Sequence, residues 1–230
     1  MAEEPVRLRV LRREDGGERI FADLSPSLAH AYEASVRGCA PRLERRLIDG
    51  VIASRVQHQM PRPFAFERSL WRRAIGDAVR PGRVVVRSDV RDCFPSISVD
   101  TVAGTLADLG VDARPVVGVL ETCRHAGVRG LPVGPWPSSV LANAVLLAAD
   151  LAAQAAGARV LRWVDDVALV CEDGSIAVRA FDAWAAALRG RGLDPHEGKT
   201  TLLGGEEARV SFLGGTSLGE REDRGMLRPP

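Results

Sequence analysis

Two adjacent aspartates, Asp165 and Asp166, interrupt an apolar run in the stretch LRWVDDVALV. The flanking segments RVLRWV and VALVC are short and rich in β-branched or apolar residues, which predicts a pair of strands. A link this short joins strands only as an antiparallel hairpin. Two interpretations of the aspartates stay open: a simple turn, which Asp tolerates, or a metal site at the tip of the hairpin.

The other segments predict helices packed around one sheet. VVVRSDV (84–90) is typical of a buried strand, and no regular element crosses the Gly/Pro loop GLPVGPWP (130–137). Ser138 or Ser139 is expected to cap a long Ala/Leu helix that ends near Ala156. Further helices are predicted at 27–37, 64–79, 96–110, 113–125 and from Ser175 to about Gly190, and further strands at KTTLL (199–203) and ARVSFLG (208–214). This order predicts an α+β fold with a largely antiparallel sheet covered by helices on one face.

Composition limits the class of protein and the cellular compartment that the sequence is compatible with. Apolar residues make up 46% of the 230 residues, enough for a sizeable core. No uncharged apolar run reaches the ~18 residues of a membrane span, and the start, MAEEPVRLRV, does not resemble a signal peptide. The four cysteines are widely spaced without a CxxC pair, which indicates reduced thiols. We therefore expect a cytoplasmic protein that makes no membrane contact.

The charge distribution is more informative than the net charge of +1. Residues 42–83 contain ten arginines and four acids, an excess that could contact phosphate. On this feature alone, a solvated arginine-rich surface is the better interpretation. The chain has 31 basic residues, and Lys199 is its single lysine. An ammonium group can give up a proton where a guanidinium cannot, so Lys199 is a candidate proton donor. A surface lysine at a strand start is the alternative.

Three acids are predicted to meet at one edge of the sheet. Asp89 ends the first strand, and Asp165 and Asp166 lie at the hairpin tip. If the hairpin pairs beside that strand, the three carboxylates repel one another unless a cation is present. Carboxylate oxygens suit Mg²⁺, and two such ions can clamp the attacking and leaving oxygens of a phosphoryl transfer. A capping role for Asp89 and a plain turn at the hairpin are the competing interpretations.

Five segments, taken together, resemble the motifs of reverse transcriptases, closest to the bacterial retron and abortive-infection types. They occur in the order of that family and span residues 84–214. The segments are SDVRDCFPSI (88–97), GLPVGPWPSSVLAN (130–143), WVDD (163–166), GLDPHEGKTTLL (192–203) and FLG (212–214). The resemblance implies a polymerase palm, with a reduced basic fingers-like lobe at 1–83, the palm at 84–214 and a tail at 215–230.

The resemblance also implies roles for individual residues. The Mg²⁺ ligands, with Mn²⁺ as an alternative ion, would be the carboxylates of Asp89, Asp165 and Asp166 and the carbonyl of Val90. Lys199 would donate a proton to the pyrophosphate leaving group, which fits its being the single lysine.

Further residues would contact the nucleotide. Phe94 would lie under the sugar and exclude a 2′-hydroxyl, unless it is simply a core aromatic. A loop shaped by Gly130, Pro132 and Gly134 would face nucleotide and template. Arg55, in a segment that distantly resembles the fingers, would contact the triphosphate, although an ordinary surface arginine is an equal alternative.

The sequence departs from the family pattern in several places. Val133 stands where the family usually has Gln, and Trp163 stands where it usually has Tyr. The chain ends soon after FLG, so we expect no thumb, and a partner protein or self-association would supply that function.

The predicted activity is Mg²⁺-dependent synthesis of DNA from dNTPs on an RNA or DNA primer-template, or without a template, with a link to antiphage defence. A catalytically silent palm scaffold that binds nucleic acid or a partner protein is the alternative from another class. An RNA-templated RNA polymerase is a weaker third option, because Phe94 favours dNTPs.

Overall fold

The computed structural model describes residues 4–12 and 17–213. The predicted tail at 215–230 and Gly214 of the FLG motif lie outside the described residues. The chain forms two compact units, each built from several segments. The first unit comprises the described residues up to Arg46, Val56–Pro61 and Asp92–Val145; the second comprises Leu47–Arg55, Arg62–Arg91 and the described residues from Leu146 onward. The division into a fingers-like lobe and a palm stays a prediction.

Hairpins, single strands and a run of helices follow one another along the described residues. The strands are β1 (Val6–Arg12), β2 (Glu18–Leu24), β3 (Val56–Gln57), β4 (Met60–Pro61), β5 (Val84–Ser88), β6 (Arg159–Trp163), β7 (Asp166–Cys171) and β8 (Thr201–Gly204). The helices are α1 (Pro26–Glu44), α2 (Phe64–Ala78), α3 (Cys93–Ser96), α4 (Val99–Asp108), α5 (Arg114–His125), α6 (Trp136–Ala155), α7 (Gly174–Arg189) and α8 (Gly205–Leu213). Side chains cap several helix starts: Ser98 accepts from the Thr101 amide and Asp173 from the Ile176 amide.

The first unit joins two antiparallel hairpins, β1–β2 and β3–β4, to helices. Helix α1 packs on α5, and α4 also packs on α5. The buried Tyr32 hydroxyl and Ser138 Oγ are 3.0 Å apart and share a hydrogen bond. Burial raises the pKa of the Tyr32 phenol far above its usual range, so this hydroxyl stays protonated.

The second unit is organised by a four-stranded antiparallel sheet in the order β6-β7-β5-β8. Helices α2, α7 and α8 pack against its strands. The β-branched run of β5 forms the centre, with Val85 fully buried. This arrangement confirms the predicted α+β fold and the hairpin that pairs beside the first strand.

Several predicted elements differ from the structure. The segment 208–214, predicted as a strand, contains helix α8 instead. Its buried residues Ala208 and Phe212 are four positions apart, which is helical spacing, and Glu206 and Glu207 in the first turn complement the helix dipole. A segment this short is ambiguous between strand and helix by its period alone.

Helix α6 begins at Trp136, before the predicted cap at Ser138 or Ser139. Ser138 lies fully buried inside the helix, so its hydroxyl serves Tyr32 rather than the helix start. Within the described residues, α6 alone is long and apolar enough to span a membrane, and 67% of its most apolar window is buried within the protein. Such burial is typical of a core helix.

Candidate active site

The two aspartates occupy different positions in the hairpin between β6 and β7. Trp163 pairs with Asp166, so the turn consists of Val164 and Asp165, and Asp166 is already the first residue of β7. The prediction that both acids occupy the tip is therefore wrong for Asp166. Val164 has a φ of 54°, a left-handed conformation that costs a β-branched residue roughly 1–3 kcal/mol.

The register of the sheet brings Asp89 to the same end as the hairpin tip. Ser88, the last residue of β5, pairs with Val167 of β7. Continuing this register by one residue would set Asp89 opposite Asp166, with Asp165 next in the turn. The register therefore directs the backbone of these three acids to the same end of the sheet. No group of three or more His, Cys, Asp or Glu side chains within residues 4–12 and 17–213 is close enough together to hold a metal ion.

The carboxylate of Asp89 is buried and only half satisfied. Lys199 Nζ lies 2.5 Å from Asp89 Oδ2, and the Asp89 side chain is 8% exposed against 56% for Lys199. The other oxygen, Asp89 Oδ1, is buried without a hydrogen-bond partner. A buried carboxylate oxygen without a donor is costly, and a cation is one group that would satisfy it.

The segment that carries Lys199 is tied to the end of β5. His196 N donates to the Asp89 carbonyl at 2.8 Å, and Arg91 N donates to the Asp194 carbonyl at 2.9 Å. These two bonds flank the antiparallel bridge between Val90 and Pro195, so the Val90 carbonyl takes no part in it. In a regular antiparallel pair, that carbonyl would point away from the Pro195 segment.

A side-chain hydrogen bond adds to this connection. Ser88 Oγ and Thr200 Oγ1 lie 2.8 Å apart, immediately before Asp89 and immediately after Lys199. The structure thus brings together two residues that the sequence predicted separately, Asp89 and Lys199, and it holds both by neighbouring contacts. Ser88 and Thr200 were not predicted, because a small polar residue beside a motif gives no sequence signal of its partner.

In the first unit, the structure brings Phe94 next to the Gly/Pro loop. Leu131 N donates to the Phe94 carbonyl at 2.8 Å. Gly130 has a φ of 65°, and a Cβ at this position would lie 2.3 Å from the Phe94 carbonyl oxygen and 2.5 Å from that of Pro95. Only glycine fits both the conformation and the space.

The rest of this loop is also anchored within the first unit. Pro132 is buried, and Ala22 N donates to the Val133 carbonyl at 3.0 Å. Gly134 has a φ of 119°, which again favours glycine. Strand β2 therefore supports the loop through the backbone of Val133, although the hairpin β1–β2 was not predicted from the sequence. The alternation of arginines with apolar residues in VRLRV (6–10) was a strand signal that could have found it.

Arg55 is engaged by its own loop in the second unit. Its Nη1 donates to the carbonyls of Val51 at 2.8 Å and Ile48 at 3.3 Å. The carboxylate of the buried Glu67 accepts from the backbone amides of Ser54 and Arg55. The triphosphate contact of Arg55 stays a prediction, while the observed contacts give this arginine a part in holding residues 48–55.

Two fully buried charged residues were missed from the sequence. Asp150 in α6 and Arg162 in β6 form an ion pair with no exposed surface. Burial raises the pKa of Asp150, and the contact with Arg162 opposes that shift. Each is a charged residue inside an otherwise apolar run, which is a sequence signal for a buried ion pair. Neither run indicates which residue is the partner.

Known proteins match this chain over most of its length. The model of the reverse transcriptase (RNA-dependent DNA polymerase) family matches residues 36–216. Retron Mx65 reverse transcriptase of Myxococcus xanthus is 29% identical over 211 residues, which cover 81% of this chain and 48% of that protein. The chain thus spans about half the length of this curated relative.

Solved structures resemble the fold at low identity. Apo telomerase of Candida tropicalis, truncated from its C-terminal domain, matches with a TM-score of 0.54 and 10% identity, over 87% of this chain and 50% of that chain. An RNA-dependent RNA polymerase matches with a TM-score of 0.56 and 11% identity, over 86% of this chain and 20% of that chain. These likenesses confirm the predicted polymerase palm fold. Since the family model covers well over half of the chain and includes every acid at the end of the sheet, the chain belongs to the reverse transcriptase family.

Proposed function

We propose that this protein is an RNA-directed DNA polymerase that transfers nucleotides from dNTPs to a hydroxyl group. A primer 3′-hydroxyl, or a protein hydroxyl, attacks the α-phosphate and pyrophosphate leaves. The observation that supports this best is the buried Asp89 carboxylate with one unpartnered oxygen, at the end of the sheet that carries Asp165 and Asp166. Family membership supports the same reaction.

The acids at this end of the sheet are the candidate ligands for a divalent cation. Asp89 Oδ1 lacks a hydrogen-bond partner, and the donor set consists of carboxylate oxygens and the Val90 carbonyl. Mg²⁺ needs only one or two protein carboxylates, because waters and substrate phosphates complete its shell. Asp89, Val90, Asp165 and Asp166 would hold Mg²⁺, or Mn²⁺ in its place. The ions would lower the pKa of the attacking hydroxyl and neutralise the charge that develops on the phosphate.

Lys199 is proposed to hold the proton for the leaving pyrophosphate. Its ammonium lies 2.5 Å from Asp89 Oδ2, and more than half of the side chain is exposed. A phosphate group that approaches from solvent therefore has access to the ammonium while it contacts Asp89. An arginine in its place would keep the positive charge and would not release a proton near neutral pH. We expect Lys199→Arg to lower kcat for dNTP incorporation about 10–100-fold with a smaller change in KM, which steady-state kinetics would measure. Unchanged kcat would contradict the role.

Phe94 is proposed to select the sugar. Its backbone is fixed by the Leu131 amide, which would hold the ring in a constant position relative to the loop. We expect Phe94→Ala to raise the efficiency of NTP use relative to dNTP use by about 10-fold or more, since a site loses discrimination when the excluding side chain is removed. Competing incorporation of labelled NTPs and dNTPs measures the ratio. An unchanged ratio in a folded variant would remove this role from Phe94.

The proposed partners follow from the reaction. They are dNTPs and an RNA or DNA primer-template, with Gly130, Pro132, Gly134 and Arg55 at the nucleotide. A second protein or self-association is proposed to help hold the duplex. A cytoplasmic site of action is proposed from the sequence, and a part in antiphage defence is proposed on family analogy alone.

A catalytically silent scaffold is the second candidate. The contact between Lys199 and Asp89 favours it, because the ammonium already neutralises the carboxylate that a metal would need. Val133, in place of the usual Gln, also removes a polar contact.

One assay separates the two candidates. Purified protein is incubated with labelled dNTPs and Mg²⁺ or Mn²⁺, with and without an RNA template, beside the variant carrying both Asp165→Asn and Asp166→Asn. Template-dependent product in the wild type alone supports the polymerase. Equal product, or none under any condition, supports the scaffold.

A further inference from the structure

The ion pair between Arg162 and Asp150 lies entirely in the interior of the second unit. Both side chains are 0% exposed. Arg162 Nε lies 3.0 and 2.9 Å from the two carboxylate oxygens of Asp150, and Nη2 lies 2.7 Å from Oδ2. Desolvating two charges is costly, and apolar residues of similar volume often give equal or better stability. Stability alone therefore does not explain a buried pair in this place.

A further donor of the same guanidinium reaches the hairpin turn. Arg162 Nη1 donates to the Val164 carbonyl at 2.7 Å. Val164 is the β-branched residue at a φ of 54°, and its carbonyl belongs to the peptide that leads directly into Asp165. The planar, charged fork of an arginine can bind a carboxylate with one edge while another nitrogen holds a carbonyl. Arg162 therefore fixes the least favourable backbone conformation of the hairpin.

The backbone of Arg162 is itself held in place on the outer edge of β6. Arg162 N donates to the Gly50 carbonyl at 2.8 Å, and Ile52 N donates to the Arg162 carbonyl at 3.0 Å. Gly50 packs so tightly that a Cβ there would lie 1.8 Å from the Val160 carbonyl oxygen. Residue 162 is thus anchored by backbone bonds at one end and by Asp150 at the other.

We propose that Arg162, oriented by Asp150, is a positioning residue that sets the hairpin turn so that Asp165 is presented at the end of the sheet. This inference rests on the proposed function for its effect on catalysis, although the holding of the turn is independent of it. Arg162 of the buried pair donates the hydrogen bond that stabilises the strained turn, and this gives the buried pair a function.

The test uses Arg162→Lys, with Arg159→Lys in the exposed part of the same strand as the matched control. A lysine can keep the ion pair with Asp150, but one ammonium does not reproduce the fork that also reaches Val164. We expect amide hydrogen exchange at residues 164–166 to be about 10-fold faster or more in Arg162→Lys, with exchange in α7 unchanged. The control should leave all of these rates as in the wild type.

A second variant removes the charge pair altogether. In Arg162→Met with Asp150→Leu, apolar groups replace the pair, so thermal stability should stay near that of the wild type. Hairpin exchange should nevertheless be faster, and kcat for dNTP incorporation should fall about 10–100-fold with KM changed less than about 3-fold, because small misplacement of a reacting group is costly. A merely structural role predicts that kcat follows stability.

The outcomes distinguish the two proposals. Faster hairpin exchange with lower kcat in either folded variant supports the positioning role. Wild-type exchange at 164–166 in both variants, or wild-type kcat despite faster exchange, overturns it. A wild-type protein that incorporates no dNTP overturns the proposed function, and the exchange rates then decide separately whether Arg162 holds the turn. If the double variant does not fold, Arg162→Lys carries the test.

Discussion

Asp165→Asn is expected to lower dNTP incorporation about 10³-fold or more, equivalent to roughly 4 kcal/mol of transition-state stabilisation. Asparagine keeps the size of the side chain and removes the negative charge, so a metal ion would lose a carboxylate ligand while the turn stays intact. The turn is held through the Val164 carbonyl, which the substitution does not touch. The loss should therefore appear in kcat and in the Mg²⁺ concentration needed for half-maximal rate, and not in thermal stability.

A matched control tests whether the loss of activity is specific to Asp165 or follows from the removal of any acidic side chain. Asp182 is exposed on α7 in the same unit and lies outside the hairpin. Asp182→Asn should leave incorporation within about 2-fold of the wild type, since exposed substitutions away from such features have small effects. Primer-extension kinetics on both variants provide the comparison. Equal activity of Asp165→Asn and the wild type would contradict the assignment of Asp165.

Gly130→Ala is expected to destabilise the protein by about 2–4 kcal/mol. The added Cβ would overlap the Phe94 and Pro95 carbonyl oxygens, and the φ of 65° is itself unfavourable for alanine. Both neighbours are backbone atoms, so relief requires the chain to move, which would also break the bond from the Leu131 amide to Phe94. Chemical denaturation measures the free energy of unfolding of the variant and the wild type.

Gly118 provides the control for this prediction. It lies within α5, and a Cβ there meets no atom within 4 Å. Gly118→Ala should therefore be neutral or stabilising by up to ~1 kcal/mol, because alanine is the better helix former. A Gly130→Ala protein as stable as the Gly118→Ala protein would show that the loop tolerates a side chain and that its packing against Phe94 is not required.

The sequence predicted the sheet end well because the signals there are local. A β-branched run ending at Asp89 and two apolar segments around Asp165 define their own strands, and an antiparallel hairpin follows from the short link. The turn itself was predicted incorrectly, since Asp favours turns and Val does not. The structure has Val164 in the left-handed conformation, and its carbonyl accepts a hydrogen bond from the side chain of Arg162, two residues earlier.

Features that depend on contacts between residues far apart in the chain were not predicted from the sequence. The pairs Asp150–Arg162 and Ser88–Thr200 join residues whose own segments carry no mark of the partner. Helix α8 was missed for a related reason. Gly205 N donates to the Arg83 carbonyl and the Gly205 Cα packs against the Arg80 carbonyl, so the end of β8 and the start of the helix are set by a segment more than a hundred residues earlier.

The central claim is that Asp89 and Asp165 bind the same divalent ion. The most direct measurement is an anomalous difference map from crystals of the protein grown with Mn²⁺ and a dNTP, compared with crystals of Asp89→Asn. We predict a peak about 2.0–2.4 Å from Asp89 Oδ1 and from a carboxylate oxygen of Asp165, absent in the variant. Asp89 still bound to Lys199 and no peak near either acid would contradict the account.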